Sequence, residues 1–438
     1  MSYALTVAAF VPLAAAACAL VGLGLAARAR SRQPARDPGF GRRRSALGRL
    51  SRGAAPSAAQ REPQSASQEP RREAQVALAG MPPRAIRTTI STAGRLPTLL
   101  FYLPVLLHCL RLALRHRGLM LPSVANPHIL CGGFRGESKM SYLEQIPAPL
   151  QGWVAPSALF VATPDLRRAE GRARLARQIH GHGLAFPLVV KPDIGSQGYG
   201  VRLVRDLAEL GAYLEGFPSG EGFILQHYVD WQGEAGVLYV RLPGEPQGRI
   251  FSLGFRSFPH VVGDGRQTLE ALIATDPRTS RMARRHRKAA AAQLARVPAK
   301  GELVRLSLLG SVRTGALYYD GGAYITPAMT ARFDEIARAM PEFYFGRFDV
   351  RFRTIEALGR GEDFQILEVN GASAEAIHIW DPEQTVTETY RVLFEQFRLL
   401  YEIGANNRDR GHRPISLAGF LALQWKESRL LRRYPASD

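Results

Sequence analysis

A lysine that ends an apolar strand and runs into a glycine-rich loop is the pattern in this sequence best suited to hold an anion. It spans Phe186-Pro187-Leu188-Val189-Val190-Lys191-Pro192-Asp193-Ile194-Gly195-Ser196-Gln197-Gly198-Tyr199-Gly200. Glycines let neighbouring backbone N–H groups converge on one anion, and a lysine adds a point charge. Lysine is scarce here, at positions 139, 191, 288, 300 and 426 only, in a chain with 57 basic residues. A hairpin whose lysine snorkels to water uses the same residue types. On this stretch alone the two readings stand level.

A second constellation is Gly346-Arg347-Phe348-Asp349-Val350-Arg351, followed by Phe364-Gln365-Ile366-Leu367-Glu368-Val369-Asn370-Gly371. Residues two apart in a strand share a face. Arg347, Asp349 and Arg351 therefore point together, as do Glu368 and Asn370, and Phe348, Val350, Leu367 and Val369 are expected in the core. Residues 354–363 suit a hairpin connection that lays the two polar faces side by side. Carboxylates plus an amide carbonyl are hard oxygen ligands, suited to a magnesium ion that also holds phosphate oxygens. An arginine beside them can stabilise charge developing on a phosphoryl group or a tetrahedral centre. A solvated hairpin face with ordinary ion pairs is the plainer alternative; together with the lysine and glycine loop, the nucleotide reading wins.

These residues need a core to position them, and 438 residues suffice for one large or two medium domains. From residue 163 the signals become regular. Thr163 is expected to cap a helix with Pro164 in its first turn, closed by Gly181 and Gly183. Strands are expected over 201–204, 223–229, 237–242, 249–258, 303–309, 344–352 and 364–370. Helices are expected from Asp206, over 268–274, 281–294 and 328–340, and through Tyr390, Leu393, Phe397 and Leu400. Segregated strands and helices indicate an α+β fold.

Residues 4–27 form an uncharged run of 24 residues rich in Ala, Leu and Val, long enough as a helix (roughly 36 Å at about 1.5 Å per residue) to cross a bilayer. No positive residue precedes it and arginines follow at once, so a single-span anchor is expected over 1–27, with the body on the cytoplasmic side of the inner membrane. Residues 28–95 hold fifteen arginines against four acids, a net +11 of the chain's formal +19. The charge thus belongs to a segment with no base-reading motif, which disfavours nucleic acid as a partner. Its composition reads as a disordered linker lying along anionic head groups. Residues 96–118 carry leucines at helical spacing with Pro104 inside; an interfacial amphipathic helix and a helix packed on the body fit equally. Residues 119–162 are read as a substrate-side segment. Within them Gly132-Gly133-Phe134-Arg135-Gly136-Glu137-Ser138-Lys139 lacks Walker spacing, and is a substrate loop or a turn. Three cysteines, at 18, 109 and 131, form no disulfide or zinc pattern.

Lys191 with the 195–200 loop, then Asp349, then Glu368-Val369-Asn370, resemble the ATP-grasp superfamily, in the order found in D-alanine–D-alanine ligases, cyanophycin synthetases and related carboxylate–amine ligases. The run Phe258-Pro259-His260-Val261-Val262-Gly263-Asp264-Gly265-Arg266-Gln267-Thr268-Leu269 strengthens the likeness to cyanophycin synthetases. The likeness covers roughly 163–400, so 163–402 is read as the ATP-grasp domain and 403–438 as a basic tail. It implies two α+β subdomains clasping ATP, with Mg2+ (or Mn2+). Lys191 would meet the α- and β-phosphates, and the backbone of Ser196, Gln197, Gly198 and Gly200 would close over them. Gln226 would face adenine, where the family often has an acid. Glu234 would bind ribose and Arg256 phosphate. Asp349, Glu368 and Asn370 would hold the metal, and Arg347 would stabilise the acyl-phosphate and tetrahedral states.

The reaction implied joins a small-molecule carboxylate to an amine through an acyl phosphate. A phosphotransferase that stops at phosphorylation and a non-catalytic nucleotide-binding membrane protein are the rivals. Oligomeric state is left open. His378, in an apolar stretch, reads as a core histidine, and the arginines of 281–288 as a solvated helix face.

Overall fold

The computed structural model describes residues 96–196, 198–276, 279–307 and 316–437, together with 75–76, 80–82, 84–85, 91 and 94. The apolar run 4–27, most of the arginine-rich segment and Gln197 lie outside the described residues. Strands β1 (Gln75–Val76) and β2 (Arg84–Ala85) pair antiparallel inside the stretch read as disordered linker. Met81 between them is buried against the main core, so folded chain begins well before residue 95.

Helix α1 (Thr98–Arg115) is two-faced. Phe101, Tyr102, Val105 and Leu112 pack inward, while Leu99, Leu100, Leu103, Leu107 and Leu114 are exposed. The inward seal is aromatic, with Phe101 stacked on Tyr390 at 5.6 Å. The body holds one face of this helix and leaves most of its leucines to its surroundings. By length and composition it could also cross a membrane.

After α2 (Lys139–Leu143), which Ser138 caps from its hydroxyl, comes a four-stranded antiparallel sheet. It comprises β3 (Ser157–Val161), β4 (Leu188–Pro192), β5 (Arg202–Val204) and β6 (Gly222–His227) in the order β3-β6-β4-β5. Helices α3 (Ala169–Gly181) and α4 (Leu207–Glu215) close its core, where Leu175, Ile179, Leu210 and Tyr213 meet Leu188, Val190 and Phe223. The sheet therefore starts at Ser157, earlier than the boundary expected at 163. Thr163 is not a helix cap: Pro164–Arg167 is a 3-10 turn and the Thr163 hydroxyl donates to Asp165.

The second sheet has five strands, every neighbour antiparallel, in the order β11-β8-β7-β12-β13. Its members are β7 (Gly233–Val240), β8 (Arg249–Ser257), β11 (Leu317–Asp320), β12 (Phe345–Phe352) and β13 (Phe364–Asn370). Both faces are covered, which explains the unbroken burial of β7. Val237 and Tyr239 meet Phe333 and Ile336 of a helix over Pro327–Ala339. Leu238 and Val240 face Leu393 and Leu400 of a helix over Val386–Asp409, which starts in a Thr385–Glu388 capping box. A small lobe of β9 (His260–Val262) paired with β10 (Leu303–Arg305) encloses its own cluster of Val261, Leu269, Ile273 and Val304.

Three expectations are corrected. The link between β12 and β13 contains a short helix, Ile355–Gly359, rather than a plain hairpin turn. Leu367 is not in the core. The ladder pairs Asp349 with Glu368 and then Val350 with Ile366, skipping Leu367; this bulge resets the alternation and buries Ile366 in its place. The basic tail is folded: Leu417–Leu431 is a helix capped by Ser416, with Phe420, Glu427 and Leu430 buried. Glu427 makes a buried ion pair with Arg135 at 2.8 Å, a partner 292 positions away that no local pattern announces.

The Gly132–Gly133 pair serves close packing. Ala372 N–H donates to the Gly132 carbonyl oxygen at 3.1 Å and Ser373 N–H to that of Gly133 at 3.0 Å. A Cβ on Gly371 would lie 2.6 Å from the Gly132 oxygen and 2.8 Å from Gly133 Cα. Gly371→Ala should therefore lower stability by about 1–3 kcal/mol. Gly152→Ala, where nothing lies within 4 Å, should shift it by less than about 0.5 kcal/mol. Urea unfolding of both variants checks the pair.

Candidate active site

The register of β12 against β13 places Arg347 opposite Asn370 and Asp349 opposite Glu368. On its other side β12 pairs with β7, setting Arg351 opposite Glu234 and Asp349 opposite Gly236. Gly236 is needed there, because a Cβ would lie 2.8 Å from Arg347 Cδ, where the guanidinium arm crosses the strand. Arg256 arrives from β8. One sheet face thus gathers Arg256, Arg347, Arg351, Glu234, Asp349, Glu368 and Asn370.

Their contacts form one network. Arg347 grips Asp349 with two bonds, Nε to Oδ1 at 2.6 Å and NH2 to Oδ2 at 3.0 Å. Arg256 bridges Glu234 Oε1 at 2.8 Å and Asp349 Oδ1 at 3.4 Å. Arg351 Nε takes Glu234 Oε2 at 3.0 Å, and Asn370 Nδ2 donates to Asp349 Oδ2 at 3.2 Å. Burial would raise the Asp349 carboxyl, but Arg347 and Arg256 outweigh it and hold it at about 2. Glu368 is likewise kept below the usual carboxylate range, against the effect of burial, by Lys139 and Lys191.

Lys191 faces this sheet from β4 of the other one. Its ammonium donates to the Leu367 carbonyl oxygen at 3.0 Å and to Gln226 Oε1 at 3.1 Å. The bulge skips Leu367 in the ladder, and its oxygen receives Lys191 and also Gln226 Nε2 at 3.0 Å. Burial pushes the Lys191 ammonium down to about 8, against the pull of Glu368.

The expected residues therefore come together, though not all in the expected attitudes. The Gln226 amide oxygen, expected toward adenine, accepts from Lys191, while Nε2 also donates to Ser157 Oγ at 2.8 Å. Both oxygens of Glu234, expected to meet ribose, are taken by guanidinium groups. Ser196, Gly198 and Gly200 lie on the loop after β4, with φ of +71° at Gly198 and +70° at Gly200; Gln197 is outside the described residues. His378 bonds Ser252 Oγ through Nδ1 at 2.7 Å and is a buried structural histidine, as expected.

Sequence reading placed Lys139 only in a candidate substrate loop and left Glu375 out altogether. Lys139 Nζ reaches Glu368 Oε1 at 2.8 Å and also donates to the Gly195 carbonyl oxygen. Ser138 Oγ and Met140 N–H meanwhile fix Asp193 Oδ1 at 2.8 and 3.1 Å. Its rarity as a lysine was the available signal. Glu375 gave none. Its carbonyl oxygen receives Arg347 NH1 at 3.0 Å and its carboxylate receives the Tyr102 hydroxyl of α1 at 2.8 Å. Burial raises this carboxyl to about 7, opposed by the Tyr102 bond and Arg347.

Among the described residues no three His, Cys, Asp or Glu side chains are grouped to hold a metal ion. The donors present are the paired carboxylates of Asp349 and Glu368 and the Asn370 amide oxygen. Both carboxyls are held ionised at neutral pH. This set fits a hard cation that completes its shell with water and phosphate.

No family model matches this sequence, and no curated protein does. Solved structures that align with it include a bifunctional glutathione synthetase from Pasteurella multocida at 18% identity and TM-score 0.32, covering 59% of this chain and 36% of that one. The VanG D-Ala:D-Ser ligase from Enterococcus faecalis aligns at 14% and 0.35, over 61% and 64%. D-alanine–D-alanine ligase from Bacillus anthracis aligns at 13% and 0.35, over 63% and 68%. The chain thus spans about a third of the first and under two thirds of the second. Likeness of this size carries no weight beside the site's own geometry.

The Glu375 proton has a thermodynamic signature. The folded chain holds it to about pH 7, whereas the unfolded carboxyl releases it near 4.5. The folded state binds more protons in that window, so this group's contribution to stability falls as pH rises through it. Glu375→Gln should lose that part of the slope, read by urea unfolding of both proteins between pH 4.5 and 7.

Proposed function

We infer that this chain is a membrane-anchored ATP-grasp ligase that joins a small-molecule carboxylate to an amine. The observation that carries the reading is the facing of Lys191 and the bulged Leu367–Glu368 segment across two sheets, with Asp349 opposite Glu368 and Arg347 bound to Asp349. A polyanion between the sheets would meet Lys191, Lys139 and Arg256 from three directions. Of the loop, Ser196, Gln197 and Gly198 would close over its phosphates, while the Gly200 N–H is held by Ser437 Oγ at 3.1 Å. Asp349, Glu368 and Asn370 would hold Mg2+, which neutralises charge on the phosphates when bound.

The chain's own residues then have separable tasks. Lys191 and Arg256 bind the nucleotide and align it. The γ-phosphoryl group passes to a carboxylate oxygen, giving an acyl phosphate and ADP. The amine attacks the acyl carbon, phosphate leaves, and the amine gives up a proton. Arg347 lies where negative charge accumulates in both steps and stabilises it. Asp349 fixes the guanidinium of Arg347 through two bonds, so little reorganisation is needed as charge develops. Glu234, bonded to two guanidinium groups, serves in this reading as their brace more than as a ribose ligand.

Membrane attachment is supported by the apolar run 4–27 with its arginine flank and by the exposed leucines of α1. In this reading the body sits at the cytoplasmic face of the inner membrane, with the linker on anionic lipid. The full chain should sediment with membranes. A chain that stays in the supernatant, or is cleaved near residue 27, removes the anchor.

Glu368→Gln keeps size but removes charge at the metal position. At about 1.4 kcal/mol per tenfold, the loss of several kcal/mol predicts a fall in ADP release of roughly a hundredfold or more, with the melting temperature retained. Lys191→Met should instead weaken ATP binding itself. Wild-type affinity should fall as pH rises through about 8, where Lys191 loses its proton, and the variant should lack that dependence; calorimetric titration with ATP at pH 7 and 9 reads both. A folded Glu368→Gln protein with wild-type turnover would remove the ligase reading.

A further inference from the structure

Beyond the helix Leu417–Leu431 the chain returns to the glycine loop. Tyr434 stacks on Phe217 with ring centres 5.3 Å apart and 18° between planes. Its hydroxyl donates to the Ile194 carbonyl oxygen at 2.8 Å. Ser437 Oγ donates to the Gly198 carbonyl oxygen at 2.7 Å and accepts the Gly200 N–H at 3.1 Å. Two glycines permit the approach. A Cβ on Gly195 would meet the Tyr434 ring at 3.5 Å, and one on Gly200 would lie 3.3 Å from Tyr434 Cβ and 2.7 Å from Pro192. The strand of chain making these contacts hangs from a helix fixed at Glu427, which binds Arg135 at 2.8 Å and the Gly136 N–H at 3.2 Å.

We propose that residues 431–437 are a strap that presets the glycine loop for phosphate, with Tyr434 and Ser437 as its positioning residues. The proposal rests on the nucleotide reading above. Gly195, Gly198 and Gly200 all take positive φ, so an untethered loop would sample many forms and lose much entropy when it orders around an anion. Hydrogen bonds made beforehand at Ile194, Gly198 and Gly200 remove that loss from the binding step. The hydrogen bonds from Tyr434 and Ser437 to Ile194, Gly198 and Gly200 fall on backbone atoms, so they act on the shape of the loop. Because Ser437 occupies the Gly200 N–H, the strap fixes the base of the loop and leaves the tip to the ligand.

The test uses the full chain and three variants, Tyr434→Phe, Ser437→Ala and Ser437→Thr. ADP release gives KM for ATP and kcat, calorimetry gives ATP binding directly, and amide exchange over 194–200 reads the loop itself. Losing one neutral hydrogen bond predicts KM for ATP raised about fivefold in Tyr434→Phe, with kcat within about twofold. Loop amides should exchange faster while the melting temperature holds. Ser437→Ala should behave alike and Ser437→Thr, which keeps the hydroxyl, should resemble wild type. Unchanged KM and exchange in Tyr434→Phe and Ser437→Ala, beside a wild type that binds ATP, would overturn the strap alone, as would a parallel fall of kcat and melting temperature. A wild type that binds no ATP would overturn the nucleotide reading and the strap's part in it.

Discussion

Asp349 cannot remain ionised inside the protein unless cations stand beside it, because an uncompensated buried carboxylate is expensive to desolvate. That requirement shapes the five-stranded sheet. Arg347 comes from the same strand, Glu234 from the neighbour β7, and Arg256 from the strand beyond, β8. Only with β8, β7 and β12 side by side can Arg256 reach both carboxylates. Counted together, Glu234, Asp349 and Glu368 face Arg256, Arg347, Arg351, Lys139 and Lys191. The surplus of cations over these three carboxylates is what a region awaiting a polyanion should carry, whereas the lowered affinity of Lys191 for its proton comes first from its burial.

The two sheets are tied by an irregularity. Regular pairing beyond Asp349 would tie up the Leu367 carbonyl within the ladder. The bulge takes Leu367 out of the pairing, and its oxygen receives Lys191 and Gln226, which belong to the other sheet. The link is therefore backbone to side chain, and it does not depend on what residue occupies 367.

Much of this was legible in sequence, for a physical reason. Strand alternation is a period-two property, so the shared faces of Arg347 with Asp349 and of Glu368 with Asn370 followed from spacing alone. Lys191 stood out because its surroundings are apolar and lysines are few. The bulge was invisible, since nothing in Phe364-Gln365-Ile366-Leu367 departs from a strand pattern, and assuming regularity sent Leu367 inward. Contacts between distant segments were equally hidden: Arg135 with Glu427, Tyr102 with Glu375, and Ser437 with Gly200 span 292, 273 and 237 positions. The C-terminal segment looked like a tail because its charges are many and its buried residues few. Phe420, Glu427 and Leu430 are enough to seat it.

Helix α1 joins the surface of the molecule to its site through a single hydroxyl. The bond from Tyr102 favours the charged form of Glu375, whose proton affinity already lies near neutrality. Withdrawing the hydroxyl leaves burial less opposed, so the carboxyl binds its proton more tightly. The seat of the helix and the occupancy of that proton are then two coordinates of one equilibrium, and each moves the other by the same free energy. The seat of a leucine-faced helix is thereby tied to one proton: the charged carboxyl holds the Tyr102 hydroxyl better than the neutral one does.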